Sequence, residues 1–168
     1  MLKLENGFFS GYASIFGEVD QGGDIVMPGA FANSLAKKSL SGIRLLFQHD
    51  VKEPIGRVLS LFEDQNGLKV KGQLTKGVPR AQALGALIEN GALDGLSIGF
   101  RTIRSTKDKI SGHRRLLQID LWEISIVTFP MMERARITLP TKPPEQFSRP
   151  IRSQKQTIAA AISLLSNS

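Results

Sequence analysis

The chain has 168 residues, a formal net charge of +7, no Cys, nine Phe and 41% hydrophobic residues, which suits one domain with a moderate tail and a core that closes without staples. The absence of Cys excludes disulfides and thiol chemistry and is comfortable in a reducing, intracellular setting. No apolar run approaches the ~18 residues of a bilayer-spanning helix, and the opening MLKLENGFFSGYASIFG carries a Glu and glycines where an export signal needs an apolar block.

The charge is uneven. Residues 1–50 hold 4 basic and 5 acidic side chains, residues 51–100 hold 6 and 5, and residues 101–168 hold 12 and 5. A basic final third suits nucleic acid or an acidic protein partner, and equally an ordinary solvated surface with a basic tail.

In chain order, GFFSGYASIF at 7–16 alternates loosely and is rich in aromatics, which predicts a strand. EVDQGGDIVMPGAF follows as a loop marked by its Gly and Pro pairs. GAFANSLAKKS, with apolar residues at 30, 31 and 35, predicts a short helix. IRLLFQ at 43–48 reads as a buried strand ending at His49-Asp50, VKEP as a turn, and IGRVLSLFED as the next strand. Asn66-Gly67 is a hairpin signal, and LKVKGQLT alternates with Leu68, Val70, Gly72 and Leu74 on the buried face. PRAQALGALIEN at 79–90 opens with Pro and stops before Gly91, as a helix does, with 83, 84, 87 and 88 as its apolar face. LSIGFRTIRSTK returns to strand. HRRLLQIDLWEISIVTFP holds two further strand-like runs ending at Pro130, and ARITL a last short strand. The total is about seven strands and two helices, mostly hairpin-connected: a mainly β, mostly antiparallel barrel or sandwich with flanking helices. The domain is expected over residues 1–139. Residues 140–168 are expected to be a Pro-rich linker followed by a short amphipathic helix or a disordered tail.

Gly95-Leu96-Ser97-Ile98-Gly99 fits the G-x-S-x-G pattern of serine hydrolases. The nucleophile elbow of α/β-hydrolases needs a strand before the Ser and a helix after it. Here a helix precedes and a strand follows, so that reading is rejected. The motif alone is more often a strand Ser between packing glycines. Two further residues alter the balance. His49 stands at the end of an apolar strand, just before a turn. Glu123 interrupts an apolar run in LWEISIV, so it lies either on a wet face or buried with a partner, because an unpaired buried carboxylate costs several kcal/mol. An imidazole would serve. Two distant His residues without Cys make no metal-ligand cluster, and DQGGD lacks the Lys and Ser/Thr of a phosphate loop, so no metal or cofactor is expected.

Taken together, GYASIFGEVDQGGDIVMPGAF, FQHDVKEPIGRV, GLSIGFR and LWEISIVTFPMMERARI resemble the capsid maturation proteases (prohead proteases) of tailed bacteriophages, relatives of the herpesvirus assemblins. The resemblance covers roughly residues 7–138, with four blocks in the same order. It implies an assemblin-like barrel of about seven strands and a serine endopeptidase. Ser97 matches the nucleophile, His49 the general base, and Glu123 is the candidate third member. FPMMERAR, with Arg134 and Arg136, is the expected source of oxyanion donors. Asp20, Asp24 and the segment 28–31 match motif positions but are expected to act structurally. The implied substrates are scaffold or delta-domain segments of the phage capsid shell, and the protease itself, inside the procapsid in the host cytoplasm. The major capsid protein is the expected partner, self-association is allowed, and neither membrane nor nucleic acid is a primary partner. The basic tail is expected to dock on the scaffold or to be removed by self-processing. The alternative is a non-catalytic capsid- or scaffold-binding domain that keeps the protease fold. A nucleic-acid-binding barrel is disfavoured, since one Tyr and one Trp supply few stacking platforms.

Overall fold

The computed structural model describes residues 4–139. Its eight strands are β1 (Phe8–Ile15), β2 (Asp24–Val26), β3 (Arg44–Phe47), β4 (Asp50–Glu63), β5 (Gly67–Leu74), β6 (Gly95–Lys107), β7 (Arg114–Val127) and β8 (Ile137–Thr138). Two helices, α1 (Ala32–Lys37) and α2 (Pro79–Glu89), lie between them. The expected linker and terminal helix at 140–168 fall outside the described residues. Among the described residues no helix is long and apolar enough to cross a membrane.

The strands form one curled mixed sheet in the order β2-β7-β3-β4-β5-β1-β8, with β6 paired along the other edge of β7. The pairings of β7 with β2 and with β3 are parallel; the other strand pairs are antiparallel. A bridge between Gly95 and Arg136, and a bond from the Leu96 N–H to the Ala135 carbonyl (2.8 Å), bring the β8 side of the sheet round to the start of β6. The expected mainly β, barrel-like architecture with flanking helices is therefore present.

Alternation accounts for most of it. In β5 Leu68, Val70, Gly72 and Leu74 are buried while Lys71 is exposed. Gly72 stands where a Cβ would lie 2.4 Å from the Phe9 ring, so glycine is what lets β1 lay that ring across β5. The β4–β5 turn is fixed by Asp64. Its carboxylate accepts from the Asn66 N–H (2.8 Å), the Gly67 N–H (3.2 Å) and the Tyr12 hydroxyl (2.6 Å). The Tyr12 hydrogen bond, followed by the Asn66 N–H, holds its carboxyl below the ordinary aspartate range. Helix α2 starts at Pro79 and buries Ala81, Leu84 and Ile88 at helical spacing. Burial of each large aliphatic side chain stabilises by about 1.5–3 kcal/mol.

Four details depart from the sequence expectation. VKEP does not turn the chain: β4 already begins at Asp50, and the reversal is a two-residue turn at Gln48-His49. Leu87 of α2 is exposed, because the buried stripe runs through Ala81 rather than Ala83. The segment 24–26, assigned to a loop, is a strand beside the start of β7. The two runs expected in 113–130 are one 14-residue strand with extra residues at Leu117 and Trp122.

Candidate active site

The bulge at Trp122 is the first element of the site. Gly99 pairs with Glu123 and Phe100 with Leu121, so Trp122 is an extra residue with no partner on β6. Leu121 and Ile124 are both fully buried in the core. The insertion shifts the phase of the alternation, so Glu123, Ser125 and Val127 project from the outer face of the sheet. Glu123 and Ser125 are nevertheless buried, at 8% and 0% exposure, with His49 of the Gln48-His49 turn bonded to both. The question left open by the sequence is thus answered: Glu123 lies on the outer face, but out of solvent and with a partner.

The partner is His49, whose Nδ1 lies 2.6 Å from Glu123 Oε1. A carboxylate acceptor requires the proton on Nδ1, which leaves Nε2 as the acceptor of the neutral ring. The other carboxylate oxygen, Oε2, accepts from the Ser125 hydroxyl at 2.7 Å. Ser125 Oγ in turn accepts from the His49 backbone N–H at 3.0 Å. Both oxygens of the buried carboxylate are therefore satisfied, as a charge in such a place requires.

The turn that delivers His49 is strained. Gln48 and His49 have φ of 54° and 59°, and Phe47 pairs with Asp50 across them. This is the mirror-image turn that suits a two-residue hairpin, but its usual occupants are Gly, Asn and Asp. Positive φ costs an ordinary residue roughly 1–2 kcal/mol. Hydrogen bonds to the end of β7 hold the turn in place. The Gln48 N–H donates to the Ile126 carbonyl (3.0 Å). Gln48 Nε2 donates to Thr128 Oγ1 (2.7 Å), and the Thr128 N–H donates to Gln48 Oε1 (3.3 Å).

Ser97 sits on β6 directly opposite Ser125, two positions from Gly99, which faces Glu123. Directly paired residues share a face, with Cβ atoms ~5 Å apart. Ser97 therefore projects from the same face as the His49–Glu123 pair. Among the described residues no hydrogen bond joins Ser97 to His49. The glycines of the motif have separate tasks. A Cβ on Gly95 would lie 2.4 Å from the Val127 carbonyl oxygen, and one on Gly99 would lie 2.1 Å from Glu123 Oε1. Gly99 is thus the gap across which the carboxylate reaches.

The segment after β7 runs back alongside Ser97. Met131 and Met132 line a hollow with Ser97, Ile98 and Phe100. Arg134 pairs with Glu18, and Arg136 with Asp94 (2.6 Å), so both guanidinium groups that the sequence singled out are engaged in fixing this segment. Asp20 organises a loop by accepting from the Gly22 and Asp24 N–H groups (2.8 and 2.9 Å). Asp24 binds Arg114 across β2 and β7, and Phe31 is fully buried. The sequence reading did not single out Gln48, Thr128 or Ser125. Only Ser125 left a trace, as the Ser of E-x-S two residues after Glu123.

A family model described as Caudovirus prohead serine protease matches residues 2–149. The chain belongs to that family. Among prohead proteases, that of Enterobacteria phage HK97 is 42% identical over 135 residues, covering 79% of this chain and 60% of the relative. That of Escherichia phage T5 is 28% identical over 121 residues, covering 71% and 57%. The chain thus spans about three fifths of the length of these two relatives. The fold resembles that of the bacteriophage T4 capsid assembly protease, gp21, with a TM-score of 0.58 at 13% identity over 71% of this chain and 80% of that one. It also resembles the KSHV protease solved with a hexapeptide phosphonate inhibitor, with a TM-score of 0.55 at 16% identity, covering 94% and 76%. The prohead protease family and the herpesvirus proteases therefore meet in this architecture, as the assemblin-like expectation required.

Proposed function

We propose that the chain is a serine endopeptidase of phage head maturation, with Ser97 as nucleophile, His49 as general base and Glu123 as the group that orients the imidazole. The observation that carries this reading is the 2.6 Å His49–Glu123 contact on the face from which Ser97 projects. Ser97 Oγ attacks the peptide carbonyl carbon while Nε2 of His49 takes its proton. The tetrahedral adduct collapses, the C–N bond breaks, and the leaving amine takes the proton from Nε2. Water, deprotonated in turn by His49, then hydrolyses the acyl-enzyme. General acid–base help of this kind contributes ~10²–10⁴ in rate. Glu123 keeps Nδ1 protonated and stabilises the imidazolium. Backbone N–H groups of the segment 129–136, alongside Ser97, are the proposed donors to the oxyanion.

The proposed substrates are scaffold or delta-domain segments of the capsid shell, and the chain itself, within the procapsid in the host cytoplasm. The major capsid protein is the proposed partner. Co-expression with that capsid protein tests the reading. Ser97→Ala and His49→Ala are expected to fold and to abolish cleavage of both the shell protein and the protease. Glu123→Gln is expected to lose at least ~10²-fold, because the tautomer is no longer enforced. Normal processing by Ser97→Ala would remove the catalytic reading and leave a binding domain with the protease fold.

A further inference from the structure

The Ser125 hydroxyl is fully buried, opposes Ser97 across the β6–β7 ladder and lies outside the proposed triad. Its two bonds run to different parts of the machinery: it donates to Glu123 Oε2 (2.7 Å) and accepts from the His49 backbone N–H (3.0 Å). We infer that Ser125 is a positioning residue that fixes the Glu123 carboxylate and the His49 backbone relative to each other through one hydroxyl. The inference rests on the catalytic reading above.

With Oε1 committed to His49, Oε2 is a buried anionic acceptor that needs a donor, and Ser125 is the donor it has. Without that bond the carboxylate is free to rotate about its terminal torsion, which is broad and roughly two-fold. The 2.6 Å contact to Nδ1 is then no longer fixed in direction. The second bond acts on the backbone. His49 sits at φ 59°, and the Ser125 oxygen anchors its N–H in that strained geometry. One hydroxyl thus sets both ends of the imidazole–carboxylate contact. A β-branched or apolar residue would suit a buried strand better, so a hydroxyl here answers to the site rather than to the sheet.

The test uses the full chain and two readouts. The first is the downfield proton resonance of the His49 ring N–H, assigned by its loss in His49→Ala. In Ser125→Ala it is expected to move upfield or to broaden through exchange with solvent; an unchanged resonance would overturn the inference. The second is the rate at which a fluorophosphonate probe labels Ser97. Ser125→Ala is expected to slow it about tenfold to a hundredfold, a part of the ~10²–10⁴ due to acid–base help. In a Glu123→Ala background the same change is expected to cost less than about twofold, because residues acting through one another are not additive. An equal factor in both backgrounds would mean a general packing role and would also overturn it. Labelling that survives Ser97→Ala would instead defeat the catalytic reading, a result distinct from either.

Discussion

Gly99→Ala separates the fold from the chemistry more sharply than a change to the proposed triad. Gly99 has no unusual backbone conformation to protect, so the alanine meets only a steric obstacle. Its Cβ would stand 2.1 Å from Glu123 Oε1, against an ordinary contact beginning at 3.4 Å, so the carboxylate must retreat by about 1.3 Å. The His49 contact, 2.6 Å at present, would stretch to as much as about 3.9 Å, beyond the ~3.2 Å limit of an N–H···O bond. The ring cannot follow, because its turn is tied to β7 through Ile126, Thr128 and Ser125. Glu123 Cδ and Cγ, both 2.7 Å from that Cβ, are obstructed as well, and a buried carboxylate oxygen loses its donor, so the cost in stability should be about 2–3 kcal/mol. The cost in rate should approach that of losing the orienting carboxylate, ~10²–10⁴-fold, or about 2.7–5.4 kcal/mol in the barrier. Capsid-protein cleavage on co-expression, followed by mass spectrometry of the fragments, measures the loss in rate; thermal unfolding of the purified variant measures the loss in stability. A folded Gly99→Ala protein that cleaves within a few-fold of wild type would refute the argument. So would a variant that does not fold, since that would make Gly99 a structural rather than a catalytic requirement.

Two further predictions concern the surroundings of the site. Gln48→Gly relieves a positive φ of 54° but removes both hydrogen bonds to Thr128. Stability by chemical denaturation should therefore stay within about 1 kcal/mol of wild type, while cleavage falls as the turn loosens; full activity would show that the clasp is dispensable. The Asp64 carboxyl lies below its ordinary value, mainly through the Tyr12 hydroxyl, so its ionised form favours the folded state. That contribution is complete above the unfolded value, about 4, and is lost as pH falls through it toward the lower folded value. The stability gap between wild type and Tyr12→Phe should therefore narrow in acid, and a gap that stays constant down to pH 2 would contradict the assignment.

Most of the sheet was legible because one face of each strand is buried and the alternation survives in the residues. LKVKGQLT in β5, the Asn66-Gly67 reversal and the Pro79-to-Gly91 limits of α2 all follow from local chemistry. The strand at 24–26 was not legible. It has three residues, and what makes it a strand is a parallel pairing with residues 114–116, some 90 positions away. The turn at 48–49 was misplaced for a different reason. Pro54 is a strong turn signal, whereas Gln-His lacks the Gly, Asn or Asp that a mirror-image turn favours. Pro54 instead lies within β4, where the register to β3 is irregular, as proline in strands tends to. Ser97, His49 and Glu123 could be proposed from motif order, but the bonds that fix His49 and Glu123 could not be read there.

Three irregular features meet at the same carboxylate. The bulge at Trp122 turns Glu123 outward, the strained turn at 48–49 closes over it, and Gly99 leaves it room. Each feature is unfavourable or neutral for an isolated sheet: an unpaired residue, two residues at positive φ, and a strand glycine with no side chain to pack. Their combined effect is a carboxylate excluded from the apolar core yet shielded from water, with each oxygen committed to a partner. Without the extra residue at Trp122, Glu123 would share the face of Leu121 and Ile119 and point into the core, where its charge would have no imidazole to meet. Local rules are broken here together because a site that must hold a buried charge beside a half-exposed imidazole cannot be built from regular strands alone.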